Sequence, residues 1–222
     1  MWIFIRGYHF LIYLLLDFIF THTIYLGSIL LNYVGSKGKD EKYLQGAVAI
    51  SPAWNFHSTT PNFSYWSKYV LVNALKFYLW KNKNYFLSFP DNKLDVPALF
   101  KTQSVREFDY YAIELGGDHP SVDDYYYHSS PVHKSKNIFV PTLSINSIND
   151  PVCSIDGLPK LSDIGDGLCT VTVRKGGHVT LPVINQTSGS LLQYLCCISQ
   201  SYGDELAIKW FDGILKNKSE VV

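Results

Sequence analysis

Residues 140–151, VPTLSINSINDP, and residues 168–178, LCTVTVRKGGH, decide the fold of this chain. Each opens with an apolar or β-branched run typical of a buried parallel strand. Each closes on a residue that can do chemistry, Asp150 in the first segment and His178 in the second. Parallel strands bring their carboxyl ends to one edge of a sheet, where catalytic groups gather. The sequence therefore predicts a carboxylate that orients an imidazole, as in a Ser-His-Asp relay.

Length and charge exclude several classes of protein. The chain has 222 residues, enough for one full hydrophobic core, and its 19 basic and 19 acidic residues give a net charge of +0. Because no basic footprint is present, we expect no nucleic-acid partner. Aromatic residues make up 15% of the chain, which favours a globular domain over a disordered one. Cys153, Cys169, Cys196 and Cys197 lack C-x-x-C spacing and are interpreted as buried thiols.

The N-terminal segment is unusually apolar. Over residues 8–34 the only formal charge is that of Asp17. The segment is also long enough to span a bilayer. We divide the chain into an apolar leader, 1–26, and a domain, 27–222. Three interpretations of the leader stay open: a membrane anchor, a buried helix of a soluble domain, or sequence foreign to this fold. The first predicts a membrane protein with a single N-terminal span, most naturally in an endomembrane.

Turn residues divide the rest of the chain into short elements. We predict an apolar helix over 27–35, closed by Gly35 in the left-handed conformation, and a buried strand over 44–52. The further predicted helices are one or two amphipathic helices over 64–88, a short helix over 96–108, a short helix ending the loop 116–133, and a last helix from about 190 to 216. With the two strands above, this order predicts an α/β fold, a parallel sheet with a helical lid excursion and an N-terminal apolar helix.

Six segments in this order resemble the α/β-hydrolase domain lipases, in the branch of membrane-anchored abhydrolase phospholipases and acylglycerol lipases. The segments are LGSILLNYVG (26–35), LQGAVAISPAWNF (44–56), FKTQSVREFD (100–109), VDDYYYHSSPVHK (122–134), IFVPTLSINSINDP (138–151) and VRKGGH (173–178). The resemblance covers about Gly27 to His178 and implies the C-terminal half of an α/β-hydrolase fold. It also implies that Asp150 is the triad acid and His178 the triad base.

The nucleophile does not follow from this resemblance. In the family a G-x-S-x-G elbow precedes the helix matched by ILLNYVG, and counting back from Gly35 places its serine at Ile24. The sequence there is HTIYLG, in which only Gly27 fits, and the elbow has no room for large side chains. Ser28 is the nearest hydroxyl and the candidate substitute, although a serine inside a helix is more often structural. We expect the natural gene product to be longer and to carry the elbow.

The resemblance implies a serine carboxylic-ester hydrolase, lipase- or phospholipase-like, acting on a lipid or medium-chain ester. Without an elbow, this chain itself is expected to be truncated and impaired. The alternative is a membrane-anchored, non-catalytic pseudo-hydrolase that acts as a binding or interaction module. No cofactor or metal is implied, because His57, His119, His128 and His133 lie in loops without zinc-ligand spacing.

Overall fold

The described part of the chain contains one five-stranded sheet. The structure is a computed structural model that describes residues 2–5, 8–10, 19–88, 94–117, 119–174, 176–178 and 202–219. The strands are β1 (Trp2–Ile5), β2 (Tyr8–Phe10), β3 (Leu44–Ile50), β4 (Thr142–Ser147) and β5 (Leu168–Val173). The predicted parallel arrangement is present in β3, β4 and β5, and β1 pairs antiparallel with both β2 and β3.

Strand β4 lies at the centre of the parallel part of the sheet. All six of its residues are buried, as expected for a parallel strand covered on both faces. Its register pairs Ile145 with Ile50 of β3 and with Val171 of β5. The carboxyl ends of the three strands therefore lie side by side, which fixes the edge at which Asp150 and His178 leave the sheet.

Seven α-helices are present in the described part of the chain. They are α1 (Ile19–Lys37), α2 (Phe56–Thr59), α3 (Tyr65–Leu87), α4 (Val96–Lys101), α5 (Val105–Asp109), α6 (Val122–Ser129) and α7 (Tyr202–Ser219). Helices α2 to α6 lie between β3 and β4, so the predicted helical excursion is present. Of the predicted last helix, the part from 190 to 201 lies outside the described residues.

Helices cover both faces of the sheet. On one face, Leu31 and Val34 of α1 pack in a buried cluster with Ala47 of β3. On the other face, Val48 of β3 packs in a second cluster with Ala207 of α7. The alternation of Ala47 and Val48 follows from the two-residue period of a strand, which sends neighbouring side chains to opposite faces. The result is a three-layer α/β arrangement.

The structure of the N-terminal apolar segment differs from the predicted one. The predicted N-terminal apolar helix is wrong at residues 2–5 and 8–10, because these residues form β1 and β2, which pair antiparallel, and α1 is described from Ile19. The sequence WIFIRGYHF is rich in aromatic and β-branched residues around a glycine, which favours strands. Strand β1 pairs with the outer edge of β3, with Ile3 opposite Ala47. None of the described helices is both long enough and apolar enough to cross a membrane.

The predicted end of α1 is also wrong. The helix continues through Gly35 to Lys37, and the left-handed residue that follows is Gly38, with φ of +56°. Gly35 has a different role, because a Cβ atom there would lie 2.8 Å from both Cβ and the carbonyl oxygen of Lys134. A glycine at this position therefore allows α1 to pack closely against the 3-10 helix Pro131–Asn137.

Two other predicted helices differ in detail. The helix predicted over 96–108 is interrupted at Thr102, whose hydroxyl donates to the carbonyl oxygen of Leu99. Ser104 then caps α5 by accepting a hydrogen bond from the backbone N–H of Glu107. The predicted one or two helices over 64–88 form the single helix α3, which Ser64 caps at its start. These local hydrogen bonds explain where the chain restarts a helix.

Candidate active site

Asp150 lies just beyond the carboxyl end of β4, with a side chain that is 0% exposed. Its Oδ1 accepts hydrogen bonds from the backbone N–H groups of Val152, at 2.8 Å, and Cys153, at 2.9 Å. The turn after β4 thus closes on the carboxylate and fixes its orientation. Two backbone donors also offset part of the cost of burying this charged group.

His178 follows β5 and lies against this carboxylate. Its Nδ1 is 3.0 Å from Oδ2 and 3.2 Å from Oδ1 of Asp150, within the hydrogen-bond distance that the sequence predicts for the pair. Because an ionised carboxylate can only accept, Nδ1 is the nitrogen that carries the proton. The imidazole is 14% exposed and therefore partly shielded from water. The structure brings together two residues separated by 28 positions in the sequence.

The second ring nitrogen of His178 is available for chemistry. Nε2 is buried and has no hydrogen-bond partner among the described residues. With the proton held on Nδ1, neutral Nε2 carries a lone pair and can accept a proton. A carboxylate-oriented imidazole with a free Nε2 has the geometry of the general base of a Ser-His-Asp relay.

Cys153 is a neighbour of this pair that the sequence analysis treated only as a buried thiol. Its Sγ and the ligand atoms of Asp150 and His178 all lie within 4.8 Å of one another. Burial first, and the Asp150 carboxylate second, raise the pKa of the Cys153 thiol well above its ordinary range. A thiol kept protonated is a poor nucleophile and a poor metal ligand. Its position three residues after Asp150 is the sequence feature that could have placed it near the pair.

Ser28, the candidate substitute nucleophile, is a buried residue of α1. It is only 2% exposed, and its hydroxyl donates to the carbonyl oxygen of Ala53 at 2.7 Å. Ala53 belongs to the segment that follows β3, so this bond fixes α1 to the sheet. The observed geometry is that of a structural serine that joins two elements.

Three of the histidines expected in loops lie beside acidic residues of α6, and two of the three are in helices, His57 in α2 and His128 in α6. His57 Nε2 is 3.3 Å from Asp123, and His119 Nδ1 is 2.8 Å from Asp124. His128 Nε2 is 3.4 Å from Asp124 as well. Asp123 and Asp124 occupy the first turn of α6, where negative charge is favourable.

His133 lies apart from these pairs and stacks on Tyr127 with ring centroids 4.1 Å apart.

The N-cap of α6 is Ser121, which accepts a hydrogen bond from the backbone N–H of Asp124. The aspartates are therefore first-turn residues rather than the cap itself.

Two segments of the resemblance meet at a buried carboxyl group. The Tyr126 hydroxyl donates to Oδ2 of Asp109 at 2.8 Å, and Asp109 is 8% exposed. Burial raises the pKa of Asp109 to about 6, against smaller opposing effects of the Tyr126 hydrogen bond and of Arg106. This contact joins α5 to α6 within the excursion. Sequence reasoning did not identify it, because 17 positions separate the two residues.

Comparison with known proteins relates this chain to lipid and ester hydrolases, although no protein-family model matches it. Phospholipase ABHD3 of Bos taurus is 27% identical over 159 residues, which cover 69% of this chain and 38% of that protein. An abhydrolase domain-containing protein of Dictyostelium discoideum is 33% identical over 169 residues, covering 69% and 40%. Medium-chain fatty acid ethyl ester synthase/esterase 2 of Saccharomyces cerevisiae is 25% identical over 180 residues, covering 68% and 39%.

A solved structure, that of Paleococcus ferrophilus monoacylglycerol lipase, overlaps 68% of this chain and 56% of its own at 15% identity and a TM-score of 0.35. The chain spans about two fifths of the length of the curated relatives that it matches. The sequence similarities, the parallel sheet and the helices around it show that the chain is homologous to the α/β-hydrolase lipase family over the part of those proteins that it spans.

Proposed function

We propose that this chain carries the acid–base half of a serine carboxylic-ester hydrolase that acts on lipid esters. The observation that carries the proposal is the buried Asp150 carboxylate on Nδ1 of His178, with no described residue bonded to Nε2. The substrate class comes from relatives named as a phospholipase and a fatty acid ethyl ester synthase/esterase. Both names describe esters of fatty acids, which share a carbonyl carbon open to attack by a hydroxyl.

In the proposed mechanism His178 relays one proton in each of two half-reactions. Nε2 takes the proton of the nucleophilic hydroxyl as its oxygen bonds to the ester carbonyl carbon, and returns it to the alcohol oxygen as the ester bond breaks. Water then bonds to the acyl carbon as Nε2 takes one of its protons. Nε2 passes that proton to the nucleophile oxygen as the bond from this oxygen to the acyl carbon breaks, which releases the fatty acid and restores the hydroxyl. Throughout, Asp150 accepts the Nδ1 hydrogen bond and stabilises the imidazolium that forms at each step.

The nucleophile is the part that this chain does not supply in recognisable form. No G-x-S-x-G occurs in the 222 residues. The elbow would be a sharp turn from strand to helix, whereas α1 is continuous from Ile19 through the position of the expected serine, residue 24. We propose that the chain alone is therefore impaired in hydrolysis.

The test is active-site labelling of the full chain with a fluorophosphonate, combined with hydrolysis of a p-nitrophenyl ester. We expect no labelling and no hydrolysis above that of the His178→Ala variant. Stoichiometric labelling mapped to Ser28, or to any other serine, would show that the chain is a complete enzyme. Hydrolysis well above the uncatalysed background that His178→Ala retains in full would show that the pair is not the catalytic base.

The missing elbow also favours a second function, binding of a lipid ester without turnover. A binding module should retain a radiolabelled phospholipid unchanged, and His178→Ala should leave that retention intact. Release of free fatty acid by the wild-type chain, but not by His178→Ala, would reject the binding module in favour of the enzyme.

A further inference from the structure

Helix α3 has an exposed apolar face that the described residues leave uncovered. One side of the helix packs Leu71, Val72 and Leu79 into the core. On the opposite side, large apolar residues recur at spacings of three and four, and each is between 46% and 73% exposed. These residues are Trp66, Tyr69, Val70, Phe77, Trp80 and Leu87, and we call them the α3 face. Side chains at this spacing form one continuous stripe along a helix.

The charged side chains of α3 are all positive. Residues 65–87 contain four lysines and no aspartate or glutamate. With 3.6 residues per turn, Lys76 and Lys83 lie along one border of the stripe and Lys81 along the other. Six exposed side chains, most of them aromatic, lie along one stripe, and an exposed apolar stripe of this kind indicates an interaction site.

We propose that the α3 face docks on the surface of an anionic phospholipid bilayer. Trp and Tyr side chains favour the boundary between headgroups and acyl chains, and lysines can extend from the borders of the stripe toward phosphate oxygens. The complete absence of acidic side chains from α3 matches an anionic surface, which attracts basic residues. This contact is peripheral, and it does not depend on a membrane-spanning segment or on catalysis.

The position of α3 gives the docking surface a role. The backbone N–H of Ser64, the cap of α3, donates to the carbonyl oxygen of Pro151 at 3.2 Å. Pro151 directly follows Asp150 in the chain. The N-terminal end of α3, which carries Trp66, therefore lies close to the Asp150–His178 pair. Docking of the α3 face would place this pair next to lipid.

The experiment is flotation of the full chain with vesicles of phosphatidylcholine, alone or mixed with phosphatidylserine. We expect binding to the mixed vesicles that weakens as salt is added. The variant Trp66→Ala/Phe77→Ala/Trp80→Ala should lose the binding. The variant Lys76→Gln/Lys81→Gln/Lys83→Gln should bind more weakly by about fivefold for each lysine, the equivalent of about 1 kcal/mol per charge near an anionic surface. All of these residues are at least partly exposed, and circular dichroism would verify that the variants fold.

Two controls separate this proposal from others. Tyr43→Ala/Leu161→Ala removes exposed apolar side chains, 72% and 82% exposed, that lie outside α3, and should leave binding unchanged. His178→Ala should also leave binding unchanged, because docking precedes and does not need the proposed chemistry. Failure to bind mixed vesicles, or equal binding by the aromatic triple variant, would overturn the proposal. Self-association of the wild-type chain that the same triple variant abolishes would assign the α3 face to a second copy instead.

Discussion

At the scale of single residues, Asp150 has two functions that substitution can separate. It holds the turn after β4 through the backbone N–H groups of Val152 and Cys153, and it orients His178. Asp150→Ala leaves these buried donors without an acceptor, so we expect the free energy of unfolding in urea to fall by about 3 kcal/mol. Asp150→Asn keeps one acceptor oxygen for the turn and should cost less than half of that. An equal loss of unfolding free energy in the two variants would contradict the role of Asp150 in holding the turn.

Ser28 provides the second residue-scale prediction. Because its hydroxyl donates to the carbonyl oxygen of Ala53 inside the core, Ser28→Ala should lower the free energy of unfolding by about 1 kcal/mol. Any residual ester hydrolysis by the chain should be unchanged in this variant. Loss of hydrolysis at unchanged stability would identify Ser28 as a nucleophile and remove the structural interpretation.

At the scale of elements, two glycines in helices should respond in opposite directions to the same change. Gly35→Ala places a Cβ atom 2.8 Å from backbone and side-chain atoms of Lys134, so α1 must move away and we expect a loss of about 1–3 kcal/mol in unfolding free energy. A Cβ atom at Gly213 in α7 would meet no other atom within 4 Å, so Gly213→Ala should gain up to about 1 kcal/mol from helix propensity. Chemical denaturation measures both, and a neutral Gly35→Ala would contradict close packing of α1.

The buried contact between α5 and α6 predicts a pH dependence of stability. The pKa of Asp109 is about 6 in the folded chain, against an ordinary value of 3.8, because burial penalises the carboxylate. An acid with a raised folded pKa stabilises the fold fully below pH 3.8, and this contribution is lost as pH rises to about 6. A shift of this size corresponds to about 3 kcal/mol.

The matched variant is Asp109→Asn, which still accepts the Tyr126 hydrogen bond but does not ionise. The difference in unfolding free energy, wild type minus Asp109→Asn, should decrease by about 2 kcal/mol between pH 3.8 and about pH 6, with the rest of the change outside this range. Urea denaturation across this range gives the difference directly. A difference that is constant with pH would show that Asp109 titrates normally in the folded chain.

At the scale of the whole molecule, the hairpin β1-β2 covers an edge of the sheet. The β3 edge would otherwise present unpaired backbone groups beside buried apolar side chains, which promotes aggregation. A chain without residues 1–10 should therefore form soluble aggregates or precipitate, and light scattering with size-exclusion chromatography would measure this. A stable monomer after the deletion would show that β1 is not needed to protect β3.

The sequence predicted the parallel part of the sheet and the Asp150–His178 pair because both depend on local patterns. Buried parallel strands are short apolar runs, and their carboxyl ends must meet. The hairpin at the N-terminus was not predicted, because its apolar residues also have the composition of a membrane-spanning helix. Pairing with β3 decides between the helix and the strand. The Asp109–Tyr126 bond depends on a tertiary contact that no spacing in one sequence specifies, whereas Cys153 follows Asp150 by only three positions and its proximity could have been inferred.

The most direct test of the central claim is the proton position on His178, measured by ¹⁵N NMR of the full chain and assigned with His178→Gln. We predict that the neutral imidazole carries its proton on Nδ1, held by Asp150, with Nε2 unprotonated and able to act as a base. In Asp150→Asn this preference should weaken or reverse. A wild-type imidazole protonated on Nε2, or one whose tautomer does not respond to Asp150→Asn, would contradict the account.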